Sequence, residues 1–100
     1  MPVNFNSSPV TNTTPLRISF NDAHGNMVAT LDSDEAKVLT ITFTSIVLHN
    51  PPNPPVMRNQ NPPAAITVHP GNVAFVEMGP GGAVVLNYAM PNQANNQIVF

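Results

Sequence analysis

Hydrophobic and polar positions alternate along most of the chain, which is the period of a β-strand with one buried face. The clearest case is residues 38–48, where Leu39, Ile41 and Phe43 alternate with threonines until the pattern breaks at Ser45. Beyond Ser45 the segment is apolar throughout. The break predicts either a β-bulge that shifts the phase, or a strand that passes from a half-exposed edge into a place covered on both faces.

Further alternating segments follow the same period, and turn-forming residues separate them. These segments cover residues 16–20, 27–31, 65–69, 73–78, 83–90 and 97–100. The first two predict a hairpin, and the Gly-Pro-Gly-Gly run at 79–82 predicts another hairpin connection. Turns spaced about every ten residues predict an all-β fold. We expect an antiparallel β-sandwich, jelly-roll or immunoglobulin-like, with seven to eight short strands.

Helix is expected to be limited to at most one turn. Asp32 and Glu35 have the spacing of a capping box, with aspartate in place of the hydroxyl residue. The acidic run that contains them, residues 32–37, is too short for more than one helical turn.

Proline-containing segments predict two extended regions. Residues 1–15 are polar and contain three prolines, so they predict an N-terminal arm with one short edge strand at residues 3–6, because proline confines strands to sheet edges. Residues 16–100 are expected to form the single sandwich domain. Within it, residues 50–63 contain the triplet Asn-Pro-Pro three times and predict a stiff, proline-rich loop.

The low charge of the chain indicates what its surface consists of. Only 8% of its 100 residues are charged and the net charge is −2, against about 25% charged residues in an ordinary domain. With 42% hydrophobic residues the chain can still build a core, which excludes a disordered protein. Its surface must consist of uncharged polar residues and proline. Such a surface suits contact with another copy or with a neutral polar ligand such as a sugar.

Several classes of partner are excluded by composition. Three cationic residues, Arg17, Lys37 and Arg58, cannot form the basic stripe that nucleic-acid binding requires. The absence of cysteine excludes disulfides and thiolate metal sites. No apolar run reaches about 18 residues, so no membrane span is predicted. The first residues lack the pattern of a secretory signal, so we expect a cytoplasmic protein or export by a non-classical route.

Candidate chemistry is sparse. His24, His49 and His69 are the natural candidates for a metal site or a general base, and a small metal-dependent enzyme is one hypothesis. Their spacing shows no metal-binding motif, and we expect no metal and no cofactor. Glu77 lies alone in an apolar strand, in phase with Phe75, which predicts that it points toward the core. A hydrolase would need a second acid or a histidine beside it, so we expect no enzyme activity.

Two binding functions follow from the neutral surface. The leading hypothesis is a self-associating structural protein, because an apolar C-terminal strand would otherwise be an unprotected edge. Its expected contacts with neighbouring copies are Val3, Phe5, Ile98 and Phe100. The alternative is a lectin-like protein that binds neutral carbohydrate through loop amides and an aromatic ring. Its candidate residues are Asn59, Gln60, Asn61, Tyr88, Asn92, Gln93, Asn95 and Asn96.

Overall fold

The described part of the chain, residues 2–49, 54–61, 65–89 and 96–100 of a computed structural model, is built almost entirely from β-strands. Ten strands occur there: β1 (Val3–Asn12), β2 (Arg17–Asn21), β3 (Met27–Leu31), β4 (Ala36–Phe43), β5 (Ser45–His49), β6 (Val56–Asn59), β7 (Ile66–Val68), β8 (Ala74–Met78), β9 (Val84–Tyr88) and β10 (Asn96–Val99). The all-β prediction is confirmed. The predicted number of strands is too low, because residues 38–48 are divided between β4 and β5, and because β6 lies inside the segment predicted as a loop.

The strands form two sheets. The large sheet has the order β10-β9-β8-β1-β4, with β7 also pairing with β1, and the small sheet has the order β3-β2-β5-β6. Strand pairs are antiparallel except where β1 meets β7 and β8, which run parallel to it. The expectation of an antiparallel arrangement is therefore wrong at β1. Both predicted hairpins are present, as β2–β3 and as β8–β9.

The two sheets share one apolar core, at whose centre phenylalanine rings meet. The ring of Phe20, from β2, lies 4.8 Å from that of Phe43 and 6.1 Å from that of Phe5. Phe5 and Phe43 belong to the large sheet, and their ring centroids are 5.1 Å apart. Edge-to-face and tilted contacts of this kind add about 0.5–1.5 kcal/mol per pair to the burial of the rings themselves. The aromatic contacts thus join one sheet to the other.

The break in the alternating pattern is the point where the chain changes sheets. β4 is the edge strand of the large sheet and presents threonines to solvent, whereas β5 lies between β2 and β6 in the small sheet. Ile46 and Leu48 of β5 are buried. Thr44 lies between the strands, and its backbone amide donates to the carbonyl of Asn21 at 2.9 Å. The break therefore marks the passage from the edge of one sheet to the middle of the other; β5 is not covered on both faces, since Val47 is only half-buried.

The predicted N-terminal arm is instead a strand inside the large sheet. β1 pairs with β4 along one side, and with β7 and then β8 along the other, so the expected edge strand at residues 3–6 is wrong. Pairing with β7 ends at Phe5 and pairing with β8 begins at Val10. Pro9 is tolerated here because it lies where β1 has a neighbouring strand on one side only. In the same gap the Ser8 hydroxyl donates to the carbonyl of His69 at 2.8 Å.

The acidic run forms a turn between β3 and β4, so the predicted helical turn is wrong. Asp34 adopts a left-handed conformation with φ of 62°, which is incompatible with a continuing helix. The capping-type contact is nevertheless present, because the Asp32 amide donates to Glu35 Oε1 at 3.0 Å. This hydrogen bond lowers the pKa of the Glu35 carboxyl. A short turn at Pro80–Gly82 between β8 and β9 has a 3-10 hydrogen bond, but Gly81 within it has a left-handed φ of 68°.

A buried asparagine joins the end of β1 to the small sheet. The Asn12 side chain is fully buried, and its Nδ2 donates to the carbonyls of Leu16, Leu31 and Asp32 at 2.7, 3.1 and 3.1 Å. Its Oδ1 accepts from the backbone amide and the hydroxyl of Thr14 at 3.0 and 2.6 Å. Both ends of the amide are satisfied, as a buried polar group requires. Asn12 therefore fixes the position of β2 and β3 relative to the large sheet.

We predict that Asn12→Asp destabilises the protein by about 3–5 kcal/mol, because it places an uncompensated carboxylate against three buried carbonyl oxygens. Asn4→Asp, on the exposed side of the same strand, is the matched control and should change the free energy of unfolding by less than about 0.5 kcal/mol. Urea denaturation measures both values. Equal values for the two variants would show that the Asn12 amide does not hold the sheets together.

Candidate functional site

The predicted carbohydrate-binding amides lie partly at the end of the small sheet. Asn59, Gln60 and Asn61 end β6 or follow it, and the backbone amide of Asn61 donates to the carbonyl of Val99 at 2.7 Å. This contact brings the segment to β10, whose first residue is Asn96. Three further candidates lie outside the described residues: Asn92, Gln93 and Asn95. The structure therefore brings together only part of the predicted cluster.

Tyr88 does not provide the aromatic platform that was expected of it. Its side chain faces the core together with Val84 and Leu86 of the same strand, and only 7% of the residue is exposed. Burial raises the pKa of the Tyr88 phenol, because the ionised form is poorly solvated there. The ring cannot stack on a ligand from solvent. The prediction failed because alternation alone does not say which phase of β9 faces inward.

Gln60 is a buried amide and not an exposed binding group. Only 5% of the residue is exposed, and within the described part of the chain neither Nε2 nor Oε1 has a hydrogen-bond partner. An unsatisfied buried amide costs free energy. Its position beside the passage from β4 to β5 is set by its backbone, whose amide donates to the carbonyl of Thr44 at 3.5 Å.

The residues predicted to contact neighbouring copies are core residues of the chain itself. Val3 and Phe5 are fully buried, Ile98 is 3% exposed and Phe100 is 8% exposed. The ring of Phe100 stacks on that of Phe43 at 5.9 Å. The expectation is wrong for these side chains because β1 is an interior strand and because β10 turns its apolar side inward. Any contact between copies must use other residues.

The three histidines do not converge. His24 lies in the β2–β3 turn, beyond the end of β2 that pairs with the start of β5, whereas His49 ends β5 at the opposite end of the small sheet. His69 follows β7 in the large sheet. In the ranges that the structure describes, no three residues of the metal-binding types come together. The sequence-based hypothesis of a histidine metal site thus has no geometric support there.

One histidine forms a contact of the kind that activates a nucleophile. His49 Nε2 and Ser19 Oγ are 2.9 Å apart, which is within hydrogen-bond reach. Ser19 is only 3% exposed, and its hydroxyl also lies 3.4 Å from that of Thr30. A substrate carbonyl cannot reach a hydroxyl that neighbouring side chains cover. The contact therefore ties β2 to β5 and offers no catalytic geometry.

Glu77 and Phe75 face solvent, opposite to the predicted direction. Ala74 and Val76 of β8 are buried, so the alternate positions of that strand lie on the outer side of the large sheet. Glu77 and Phe75 do point to the same side of β8, as predicted. The buried side of the strand, however, is the one that carries Ala74 and Val76. Asn87 of β9 donates through Nδ2 to Glu77 Oε2. The acidic residue on the same side of β8 as Phe75 was the signal that this side faces solvent, because acidic side chains are rarely buried.

Apolar side chains form a strip across the outer face of the large sheet. The strip consists of Pro9, Val38, Val73 and Phe75. Pro9 of β1 pairs with Val38 of β4, and Val73 immediately precedes Ala74, the residue that pairs with Val10. Val38 is 70% exposed, Val73 43% and Phe75 39%. Of the strand residues described on this face, Glu77 alone carries a charge.

A shallow cavity opens beside this apolar strip. Its volume is about 110 Å³, and it is lined by Val73, Phe75, Asn87, Tyr88 and Ala89. Phe75 and Asn87 are directly opposite each other on β8 and β9. The cavity therefore combines an exposed aromatic ring with an amide that a carboxylate orients. None of Val73, Phe75 or Asn87 was among the predicted binding residues.

We predict that Gln60→Met stabilises the protein by about 1–2 kcal/mol, because methionine has a similar volume and leaves no buried donor or acceptor unsatisfied. Gln97→Met, at an exposed position of β10, is the matched control and should change stability by less than about 0.5 kcal/mol. Thermal and urea denaturation measure both. A destabilised Gln60→Met variant would mean that the amide is needed where it lies.

Comparison with known proteins gives no family assignment: no family model, no curated protein and no solved structure matches this chain. Within the described ranges there is also no helix with the length and hydropathy needed to cross a bilayer.

Proposed function

We propose that this chain is a non-enzymatic structural protein that self-associates through the outer face of its large sheet. The scaffold that fits is a β-sandwich, because the two sheets share one core. The observation that carries the proposal is the apolar strip of Pro9, Val38, Val73 and Phe75 on the solvent-facing side of the large sheet, where polar residues are the norm. Contiguous exposed apolar surface marks sites of association in soluble proteins.

The chemistry of the face favours a second copy of the chain as the partner. Glu77 is the one charged side chain among its described strand residues, and its carboxylate already accepts a hydrogen bond from Asn87. The neighbouring side chains are uncharged, among them Thr11 of β1 and Thr40 of β4. A face with a single charge offers little to a strongly charged partner. It meets a copy of itself with little repulsion, since the whole chain carries a net charge of only −2.

The composition of the face resembles that of a stable contact. A specific interface buries about 800 Å² on each partner, with an apolar centre and a polar rim. The strip provides the apolar centre, and the threonine and asparagine side chains of β1 and β4 provide the rim. The contact is therefore assigned to the outer face of the large sheet and not to the chain ends, whose apolar side chains are buried.

The lectin-like alternative has less support at the residues that the sequence predicted for it. The amides of Asn59 and Asn61 are exposed, but the aromatic ring expected beside them, Tyr88, is in the core. Amides alone bind hydroxyl groups without the stacking contact that makes sugar binding favourable. A carbohydrate site of this chain would need an aromatic ring that reaches solvent.

We predict that Val38→Asp weakens self-association at least about tenfold, because it places an unpaired charge within the apolar strip that the contact covers. Val38 is 70% exposed, so the variant should fold normally. Met57→Asp is the matched control, because Met57 is 58% exposed but lies on the small sheet. Sedimentation equilibrium over a range of concentrations gives the dissociation constants.

The wild-type chain should form dimers or larger assemblies, and Met57→Asp should associate as the wild type does. Two results would each refute the proposal: a wild-type chain that stays monomeric at the highest soluble concentration, or equal weakening by Val38→Asp and Met57→Asp.

A further inference from the structure

Phe75 is the exception among the five phenylalanines of the chain. The other four, Phe5, Phe20, Phe43 and Phe100, are at most 8% exposed and contact one another in the core, whereas Phe75 is 39% exposed on the outer face. An aromatic ring at a solvent-facing strand position leaves much apolar area in water. It also offers a flat face on which a ligand can stack.

Polar groups beside this ring are already oriented. Asn87 lies opposite Phe75 in the β8–β9 pair, and its Nδ2 donates to Glu77 Oε2. A side-chain amide has two N–H donors and one acceptor oxygen, and a carboxylate has two acceptor oxygens. The Glu77 contact uses one donor of Asn87 and one oxygen of the carboxylate. The pair can therefore both donate to and accept from a ligand hydroxyl, and their mutual contact limits the rotamer freedom that binding would otherwise remove.

The cavity places the ring and the amide side by side. It is lined by Phe75 and Val73 on one side and by Asn87, Tyr88 and Ala89 on the other, with a volume of about 110 Å³. This volume admits the edge of a small ring rather than a whole drug-sized ligand, which needs about 300 Å³ or more. A ligand seated there has one face against Phe75 and its rim against Asn87, while Glu77 lies outside the lining and holds the Asn87 amide from the neighbouring position.

We propose that Phe75 and Asn87, whose amide is oriented by Glu77, form a binding subsite for a neutral pyranose sugar. The C–H face of a pyranose is apolar and stacks on an aromatic ring, while its equatorial hydroxyls need donors and acceptors at the rim. Asn87 donates to a sugar hydroxyl through its second N–H or accepts from it through Oδ1, while Glu77 holds the amide in place. The carboxylate repels anionic ligands, which excludes phosphorylated and sulfated sugars from the preferred class.

This subsite does not depend on self-association, but the two functions share Phe75. A sugar on the ring and a second copy over the apolar strip exclude each other, so bound sugar shifts the chain toward the monomer. Val38 does not line the cavity, so Val38→Asp removes the association contact and leaves the subsite intact. The two proposals can therefore fail separately.

The test is an NMR titration of the Val38→Asp chain, and of the wild-type chain at low concentration, with the methyl glycosides of glucose, galactose, mannose and N-acetylglucosamine. At least one glycoside should shift the Asn87 side-chain amide and the Phe75 ring protons at millimolar concentration. Phe75→Ala should weaken binding about two- to tenfold, which corresponds to ~0.4–1.4 kcal/mol. Asn87→Leu should weaken it further, because a hydroxyl would lose its partner at the rim.

Asn6→Leu is the matched control, since Asn6 is an exposed amide on the same outer face that does not line the cavity; it should bind the glycosides as the parent does. Amide spectra of each variant establish that it is folded. The proposal is overturned if no glycoside shifts Phe75 and Asn87 at tens of millimolar. It is also overturned if Asn6→Leu weakens binding as much as Asn87→Leu, or if tetramethylammonium shifts these residues while the glycosides do not, which would indicate a cation site.

Discussion

The contact of Phe20 with Phe5 and Phe43 is the interaction on which the arrangement of both sheets depends. Phe20 comes from the small sheet and its two partners from the large sheet, so these rings join the layers directly. Once Phe43 points inward, the threonines and Val38 of β4 must point outward, because side chains alternate along a strand. Phe5 likewise orients the first half of β1. The composition of the outer face therefore follows from the packing of the core.

The sequence predicted correctly those features that depend on neighbouring segments of the chain. The β2–β3 and β8–β9 hairpins were predicted because a short turn between two alternating segments specifies the pairing by itself. The break at Ser45 was also informative, since the chain does change its environment there. The role of β1 was not predictable in the same way. Its partners β7 and β8 lie more than fifty residues away in sequence, and the polar, proline-containing segment carries no mark of that pairing.

The candidate site shows where residue type alone is insufficient. Tyr88 and Phe100 were assigned to binding because they are aromatic or apolar near chain ends or loops, yet both belong to the core. Phe75 was assigned to the core because β8 has apolar residues in both phases, with Ala74 and Val76 in one and Phe75 in the other. Only the pairing with β1, which sets Ala74 beside Val10, decides which phase is buried. A strand whose two sides are both apolar requires tertiary structure to be interpreted.

The parallel pairing of β1 has a consequence for the order of events during synthesis. Val10 emerges from the ribosome about sixty residues before Ala74, its neighbour in the sheet. Until then the first strand has only β4 beside it, and its other edge stays open to any strand that approaches. Pairing over such separations is slow. The nascent chain therefore carries an interior strand half-paired until the residues of β7 and β8 have been made, and Pro9 and the left-handed Ser7 interrupt an edge that would otherwise recruit a neighbouring chain.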